Sequence, residues 1–118
     1  MTIPASVEYV GTYFLRGETL KKITFKGSPV LADNSVGSNY KLIHFMSQTP
    51  PAVGKYSFQS ASLMVVAPDI ASIPVYRTTL SGHWGVEKGY ELSVYGGLKE
   101  ADNVYYSAME DGNACAIY

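Results

Sequence analysis

The segment Lys55–Ala67 reads KYSFQSASLMVVA, and it decides the predicted fold. Apolar and polar residues alternate in its first half, whereas Leu63–Val66 is apolar at every position. Prolines and a glycine flank the segment and set its limits. A strand that is apolar on both faces is usually covered on both faces. We therefore predict that Leu63–Val66 is a central strand of the core.

The composition indicates a folded protein that is rich in strands. At 118 residues the chain has the length of one domain, which we predict to span residues 1–118. An apolar fraction of 47% with 16% charged residues is typical of globular proteins and not of disordered chains. Ten Tyr, eleven Gly and six Pro favour strands joined by tight turns. The predicted class is mainly β.

Other runs along the chain also have strand-like patterns. The strands predicted from them are Val7–Leu15, Thr19–Lys26, Tyr40–Ser47, Val75–Leu80 and Tyr90–Tyr95. We expect the first two to form a hairpin, and we expect one helical turn at Asp69–Ala71 but no long helix. Together with the central strand and a C-terminal hairpin, the total is about 7–8 short strands, which predicts a single-domain antiparallel β-sandwich or a small β-barrel.

The C-terminal hairpin has the most specific local signal. The dipeptide Asp111-Gly112 suits a two-residue type I′ turn, in which both central residues adopt positive φ. That turn pairs Ala108 with Cys115 and Tyr106 with Ile117. We predict that the face carrying Ala108, Cys115 and Ile117 is buried, and that the apolar end of the chain is anchored in the fold.

Charge and cysteine content narrow the classes of partner. Nine Lys and Arg against ten Asp and Glu give a formal net charge of −1, so no large positive field attracts a polyanion. Nucleic acid is therefore not an expected partner. A single cysteine, Cys115, cannot form an internal disulfide.

Membrane and export signals are missing from the sequence. No apolar run approaches the roughly 18–20 residues that a membrane helix needs, and the residues after Met1 lack the basic and apolar regions of a signal peptide. We expect no membrane partner. The predicted location is the cytoplasm or a viral or host intracellular assembly, and a secreted protein whose signal has been removed fits the same observations.

The sequence lacks signatures of catalysis and of metal binding. Its two histidines, His44 and His83, are far from Cys115, and there are no spaced Cys pairs from which a zinc site is built. It contains no Gly-x-Ser-x-Gly elbow, no Walker pattern and no dinucleotide fingerprint. We therefore predict a non-catalytic protein with no metal and no cofactor.

A glycine-rich loop surrounds the single tryptophan, Trp84, with His83 and Glu87 beside it. Binding residues tend to lie on loops that a rigid scaffold holds, and Tyr side chains offer flat amphipathic surfaces. In the alternative interpretation Trp84 plugs one end of a barrel. The residues predicted to bind a ligand or partner are His83, Trp84, Glu87, Tyr90 and Tyr76.

Three functions fit these features. The first hypothesis is a non-catalytic β domain that binds protein, either by self-association or as a subunit or inhibitor in a larger assembly such as a viral or phage particle. The second is a small-molecule-binding barrel or sandwich in which the ligand stacks on Trp84 and nearby Tyr residues. The third is a small enzyme that works through His83 and a carboxylate such as Glu87.

Overall fold

The computed structural model describes residues 2–11, 22–33, 35, 42–54, 62–81, 91–102 and 104–117. The strands in these residues are β1 (Thr2–Ile3), β2 (Tyr9–Val10), β3 (Lys22–Phe25), β4 (Val30–Leu31), β5 (Leu42–Phe45), β6 (Ser62–Ala67), β7 (Glu91–Ala101), β8 (Val104–Ala108) and β9 (Ala114–Ala116). The helical segments are the 3-10 helix η1 (Ile70–Ser72) and the α-helix α1 (Ile73–Ser81).

Strands dominate the described residues, which confirms the mainly β class. Seven strands form one mixed sheet in the order β1-β3-β5-β6-β7-β8-β9, and β2 pairs with β4 in a small parallel sheet. Neighbours from β1 to β7 are parallel, whereas β7, β8 and β9 are antiparallel. The predicted antiparallel sandwich or barrel is therefore corrected to a mixed sheet. Parallel neighbours need crossover connections rather than tight turns, and the strand patterns do not reveal the crossovers.

The prediction of a central strand is confirmed. Strand β6 is the fourth of the seven strands, with parallel partners on both sides. Val65 and Val66 point to opposite faces of the sheet, and both are 0% exposed. The apolar run thus identified a strand that is covered on both faces, although residues 55–61 lie outside the described residues.

The predicted hairpin between Val7–Leu15 and Thr19–Lys26 is wrong. Strand β3 lies inside the sheet, between β1 and β5, and both neighbours are parallel to it. The described part of the first run, β2, pairs in parallel with β4 instead. Two successive strand-like runs form a hairpin only when a tight turn joins them. The segment that would contain this turn, residues 12–20, lies outside the described residues.

The predicted strand Val75–Leu80 is also wrong, because these residues belong to α1. Their Val, Tyr and Thr content favours a strand, but Ile73, Tyr76 and Leu80 are all buried and follow helical spacing. The predicted helical turn at Asp69–Ala71 is present as η1, and the Asp69 side chain caps it. Together η1 and α1 make the crossover from β6 to the parallel strand β7.

One face of the sheet, here called the first face, holds most of the buried core. Tyr76 and Leu80 of α1, and Val10 and Leu31 of the small sheet, pack with side chains of β3, β5 and β6. This cluster contains Ile3, Val10, Ile23, Phe25, Leu31, Ile43, Phe45, Val65, Ala67, Tyr76 and Leu80.

The opposite or second face is covered in part by the C-terminal strands of the same sheet. Ile117 packs against Leu42 and Val66, with Tyr105 and Cys115 at the margin of the cluster. Of the face that was predicted to be buried, only Ile117 is buried; Cys115 is partly exposed, and Ala108 pairs with Ala114 and so lies on the opposite face of the hairpin. Ile117 therefore anchors the segment after β9 on the second face.

Contacts between strands that are far apart in the sheet order show that the sheet curls. Ile117, directly after β9, packs in one cluster with Leu42 of β5, although β6, β7 and β8 lie between them. The Lys22 ammonium lies 3.1 Å from a Glu100 carboxylate oxygen, although β5 and β6 separate their strands. The bend lies where the β7–β8 register shifts between Gly96 and Lys99, and Gly97 has a φ of 74°. The predicted end of the strand at Gly96-Gly97 is thus a bend, and β7 continues to Ala101.

The terminal hairpin exists, but its predicted register is wrong by one residue. Ser107, not Ala108, pairs with Cys115. The Met109 carbonyl accepts a hydrogen bond from Gly112 N, and Met109 N donates to the Asn113 carbonyl. Gly112 has a φ of 91°, whereas Asp111 is not in the positive-φ region, so the loop has three residues with a type I turn. The predicted type I′ turn does not form, because it needs a positive φ at both Asp111 and Gly112 and only Gly112 has one.

Candidate functional site

Four of the five predicted binding residues lie outside the described residues. These are His83, Trp84, Glu87 and Tyr90, and their role stays a prediction. The fifth, Tyr76, is on α1 and is 0% exposed. Its ring lies 5.1 Å from that of Phe45, and its hydroxyl donates a 2.5 Å hydrogen bond to the Ser47 carbonyl. The Tyr76 side chain therefore belongs to the core of the first face.

Polar side chains meet where β5 and β6 end. One Asp69 oxygen, Oδ1, accepts hydrogen bonds from Ser72 N at 2.8 Å and from Ser72 Oγ at 2.7 Å. The other, Oδ2, accepts from Gln48 Nε2 at 3.0 Å. The hydrogen bond from the Ser72 side chain is the main cause that lowers the pKa of Asp69. Because both oxygens are engaged and the charged form is favoured, Asp69 acts as a helix cap rather than as a proton carrier.

A crevice opens beside this cap, between the end of β6 and the C-terminal strands. Its volume is about 420 Å³, within the range of ligand pockets. Apolar side chains dominate the wall, with Lys99 and Ser107 among the polar ones. The residues that give the crevice its shape are Ile70, Gly96, Leu98, Tyr106, Ala108 and Ala114.

Gly96 allows the crevice wall to form. A Cβ at this position would lie 2.6 Å from Ile70 N and 2.7 Å from the Asp69 carbonyl carbon and oxygen. These are backbone atoms, so no side-chain rotation relieves the contact. The absence of a side chain therefore lets the start of η1 lie directly on β7.

The crevice adjoins strand β9, the edge of the sheet among the described residues. Met109 N donates to the Asn113 carbonyl at 2.8 Å, and Ile117 N donates to the Tyr105 carbonyl at 2.9 Å. The odd-numbered residues of β9 therefore bond to β8, and the N–H and C=O groups of Ala114 and Ala116 point the other way. Strand β9 ends the sheet order, so no strand of the described residues pairs with these outward groups.

Exposed apolar side chains lie around this edge and crevice. Ile70 is 39% exposed and Tyr106 is 37% exposed, and both line the crevice. Met109, at the start of the hairpin loop, is 47% exposed. Scattered exposed apolar residues are ordinary, whereas Ile70 and Tyr106 are exposed together in one crevice beside the edge strand β9. We call β9 and this crevice the β9 surface.

Other candidate chemistry lacks support in the part of the chain that the structure describes. No group of three or more His, Cys, Asp or Glu residues there could hold a metal ion. His44 is half-buried on β5. Burial lowers the pKa of its imidazole below the ordinary value, and the positive charge of Lys22 lowers it further. Its ring is therefore neutral at pH 7. Within the same residues, no helix is long and apolar enough to cross a membrane.

Sequence reasoning missed the β9 surface. Two signals pointed to it: the Gly96-Gly97 pair in a strand-like run, which marks a bend or a close backbone approach, and the absence of any charged residue or proline in Asn113–Ile117. Neither signal identifies an edge before the strand order is known. Comparison with protein-family models, curated proteins and solved structures found no match for this chain.

Proposed function

We propose that this chain is a non-catalytic protein-binding domain that accepts an extended strand at the β9 surface. The observation that carries the proposal is the outward direction of the backbone N–H and C=O groups of Ala114 and Ala116 at the end of the sheet. An added strand gains main-chain hydrogen bonds there, and its alternate side chains reach neighbouring pockets.

The crevice supplies such a pocket. Ala114, Tyr106 and Ile70 all line it, so a side chain of the added strand that points to this face of the hairpin meets an apolar space. The other face of the hairpin is already occupied, because Tyr105, Cys115 and Ile117 pack on the second face. The crevice therefore contacts every second side chain of the partner strand, and these side chains determine specificity.

The test uses selection of random linear peptides on phage against the immobilised chain at low density. The key variant is Ala116→Pro, because proline removes an outward N–H while the bonds from β9 to β8 come from the odd-numbered residues. Ala116→Ser is the matched control, since it keeps the N–H. We expect the wild type and Ala116→Ser to enrich peptides with alternating apolar residues, and Ala116→Pro to enrich none of them. Equal enrichment on Ala116→Pro would contradict strand addition.

A second candidate is a small apolar ligand held in the crevice. The volume of about 420 Å³ and the apolar wall support it, whereas Trp84 lies outside the described residues. Saturation-transfer NMR with aromatic fragments tests this candidate. Binding that Ile70→Ser abolishes and Ala116→Pro leaves intact would favour the small-molecule role over strand addition.

A further inference from the structure

We propose that the strand accepted by β9 is the β9 of a second copy of this chain, paired antiparallel about a two-fold axis at Cys115. This inference rests on the strand-accepting function proposed above and names its partner. Two seven-stranded sheets then join edge to edge into one continuous sheet across the dimer.

The hydrogen-bond pattern of β9 fits this pairing. A two-fold axis at Cys115 sets Ala114 of one copy opposite Ala116 of the other, and these are the residues whose N–H and C=O groups point outward. They form the hydrogen-bonded pairs of the new ladder. Cys115 then faces the second copy's Cys115 at a non-hydrogen-bonded position, where Cα atoms are about 4.5 Å apart.

The sequence of β9 is compatible with meeting itself. Ala-Cys-Ala reads the same in both directions, so in the antiparallel pair each alanine faces an alanine and Cys115 faces Cys115. A two-fold contact places like groups near one another, and Asn113–Ile117 has no charge to repel its copy. The small alanine side chains also leave the approach of the two backbones unhindered.

The other end of the sheet does not compete for the same strand. Strand β1 has two residues, and Pro4, which has no N–H, follows it directly. Pairing of β1 with β9 would be head-to-tail and would extend into filaments, whereas β9 with β9 closes after two copies. The expected assembly is therefore a dimer and not a fibre.

Cys115 reports on this geometry, because it is the one cysteine in the chain. Sedimentation velocity of the reduced protein over a concentration series gives the dimer dissociation constant. Brief oxidation with copper phenanthroline then links chains only where two Cys115 thiols come within disulfide reach. We expect a concentration-dependent dimer, a disulfide-linked dimer after oxidation, and an unlinked dimer in Cys115→Ser.

Ala116→Pro and Ala116→Ser again form the matched pair. Proline removes one outward donor from each copy, so we expect the dissociation constant to rise by about tenfold or more and the cross-linking yield to fall in parallel. Ala116→Ser should match the wild type in both. If Ala116→Pro shows a lowered melting temperature, Ala114→Lys replaces it, because a charge at an exposed edge position also opposes strand pairing.

A wild-type chain that stays monomeric and uncross-linked over the whole series would overturn the inference. A dimer that Ala116→Pro and Ala114→Lys leave unchanged would overturn it as well, because another surface would then hold the copies together. The peptide selection separates this failure from failure of the proposed function. A monomer that still enriches peptides through Ala116 accepts strands from a different partner.

Discussion

The two faces of the seven-stranded sheet are covered in different ways. Separate elements cover the first face: α1 contributes Tyr76 and Leu80, and the small β2–β4 sheet contributes Val10 and Leu31. The second face carries Leu42 and Val66. The C-terminal strands of the same sheet cover these two residues, and Ile117 is buried against them.

The difference shows what each face contributes. The first face is a continuous apolar cluster in which Phe45 stacks on Phe25 at 5.3 Å between ring centroids and contacts Tyr76 at 5.1 Å. The second face combines a smaller apolar cluster with the Lys22–Glu100 ion pair and the Lys22 ammonium 5.1 Å from the Tyr105 ring centroid. We expect the first face to provide most of the stability, and the fold-over to position the β9 edge.

Alanine substitutions on the two faces test this comparison most directly. We expect Phe45→Ala to lower the free energy of unfolding by about 3–5 kcal/mol, because a large buried ring leaves a cavity among rigid neighbours. Ile117→Ala should cost less, about 2 kcal/mol, at the low end for a buried aliphatic residue, because its site lies at the margin of the sheet. Urea denaturation measures both values.

The same pair separates stability from assembly. Under conditions where both variants stay folded, Ile117→Ala should weaken the proposed dimer more than Phe45→Ala does, since Ile117 adjoins β9. A larger loss of stability in Ile117→Ala than in Phe45→Ala would show that the fold-over, and not the first face, dominates the fold.

Substitutions at the bend address how the two faces are joined. We expect Gly96→Ala to cost roughly 1–3 kcal/mol, because its Cβ would lie 2.6 Å from Ile70 N and force backbone atoms apart. At Gly97 the nearest atom to a new Cβ is the Pro68 carbonyl oxygen at 3.9 Å, so only the positive φ opposes alanine, at about 1 kcal/mol.

Gly97→Asn is the control for the bend, since asparagine tolerates the left-handed region better than alanine does. Its melting temperature should lie between those of the wild type and Gly97→Ala. Equal melting temperatures for Gly96→Ala and the wild type would mean that η1 does not lie against β7 as closely as described.

The smallest expected effect is that of Tyr76→Phe, which deletes a hydrogen bond and keeps the ring. Loss of the bond to the Ser47 carbonyl should cost about 1 kcal/mol at neutral pH. Burial raises the pKa of the Tyr76 hydroxyl above its ordinary value of 10.0. The unfolded chain therefore ionises first, and stability that is fully present below about pH 10 is lost as the pH rises further.

Denaturation at a series of alkaline pH values measures this loss, which for one such group is at most about 1.4 kcal/mol per pH unit. Tyr76→Phe should flatten the decline without removing it, because burial also raises the pKa of Tyr105. Identical alkaline profiles for the variant and the wild type would contradict the burial of the Tyr76 hydroxyl.

The candidate site was less predictable than the core. Ala114 and Ala116 have no chemical signature, and they matter only because β9 ends the sheet and directs their backbone groups outward. Ile70 joins them through the crossover from β6. The binding role proposed for these residues depends on their position at the sheet edge, and contacts distant in sequence set that position.

The sequence by itself determined the strand-rich class, the central place of β6 and the burial of Ile117, because each follows from composition or from an apolar pattern within a few residues. Tertiary structure decided the parallel order, the helix at Ile73–Ser81 and the curl at Gly96-Gly97. In α1, burial of Ile73, Tyr76 and Leu80 on the first face outweighs the strand propensity of the residues between them. Local preferences are worth only fractions of a kcal/mol per residue, about 0.7 kcal/mol at most for ordinary residues in helices, and the burial of one large apolar side chain exceeds that.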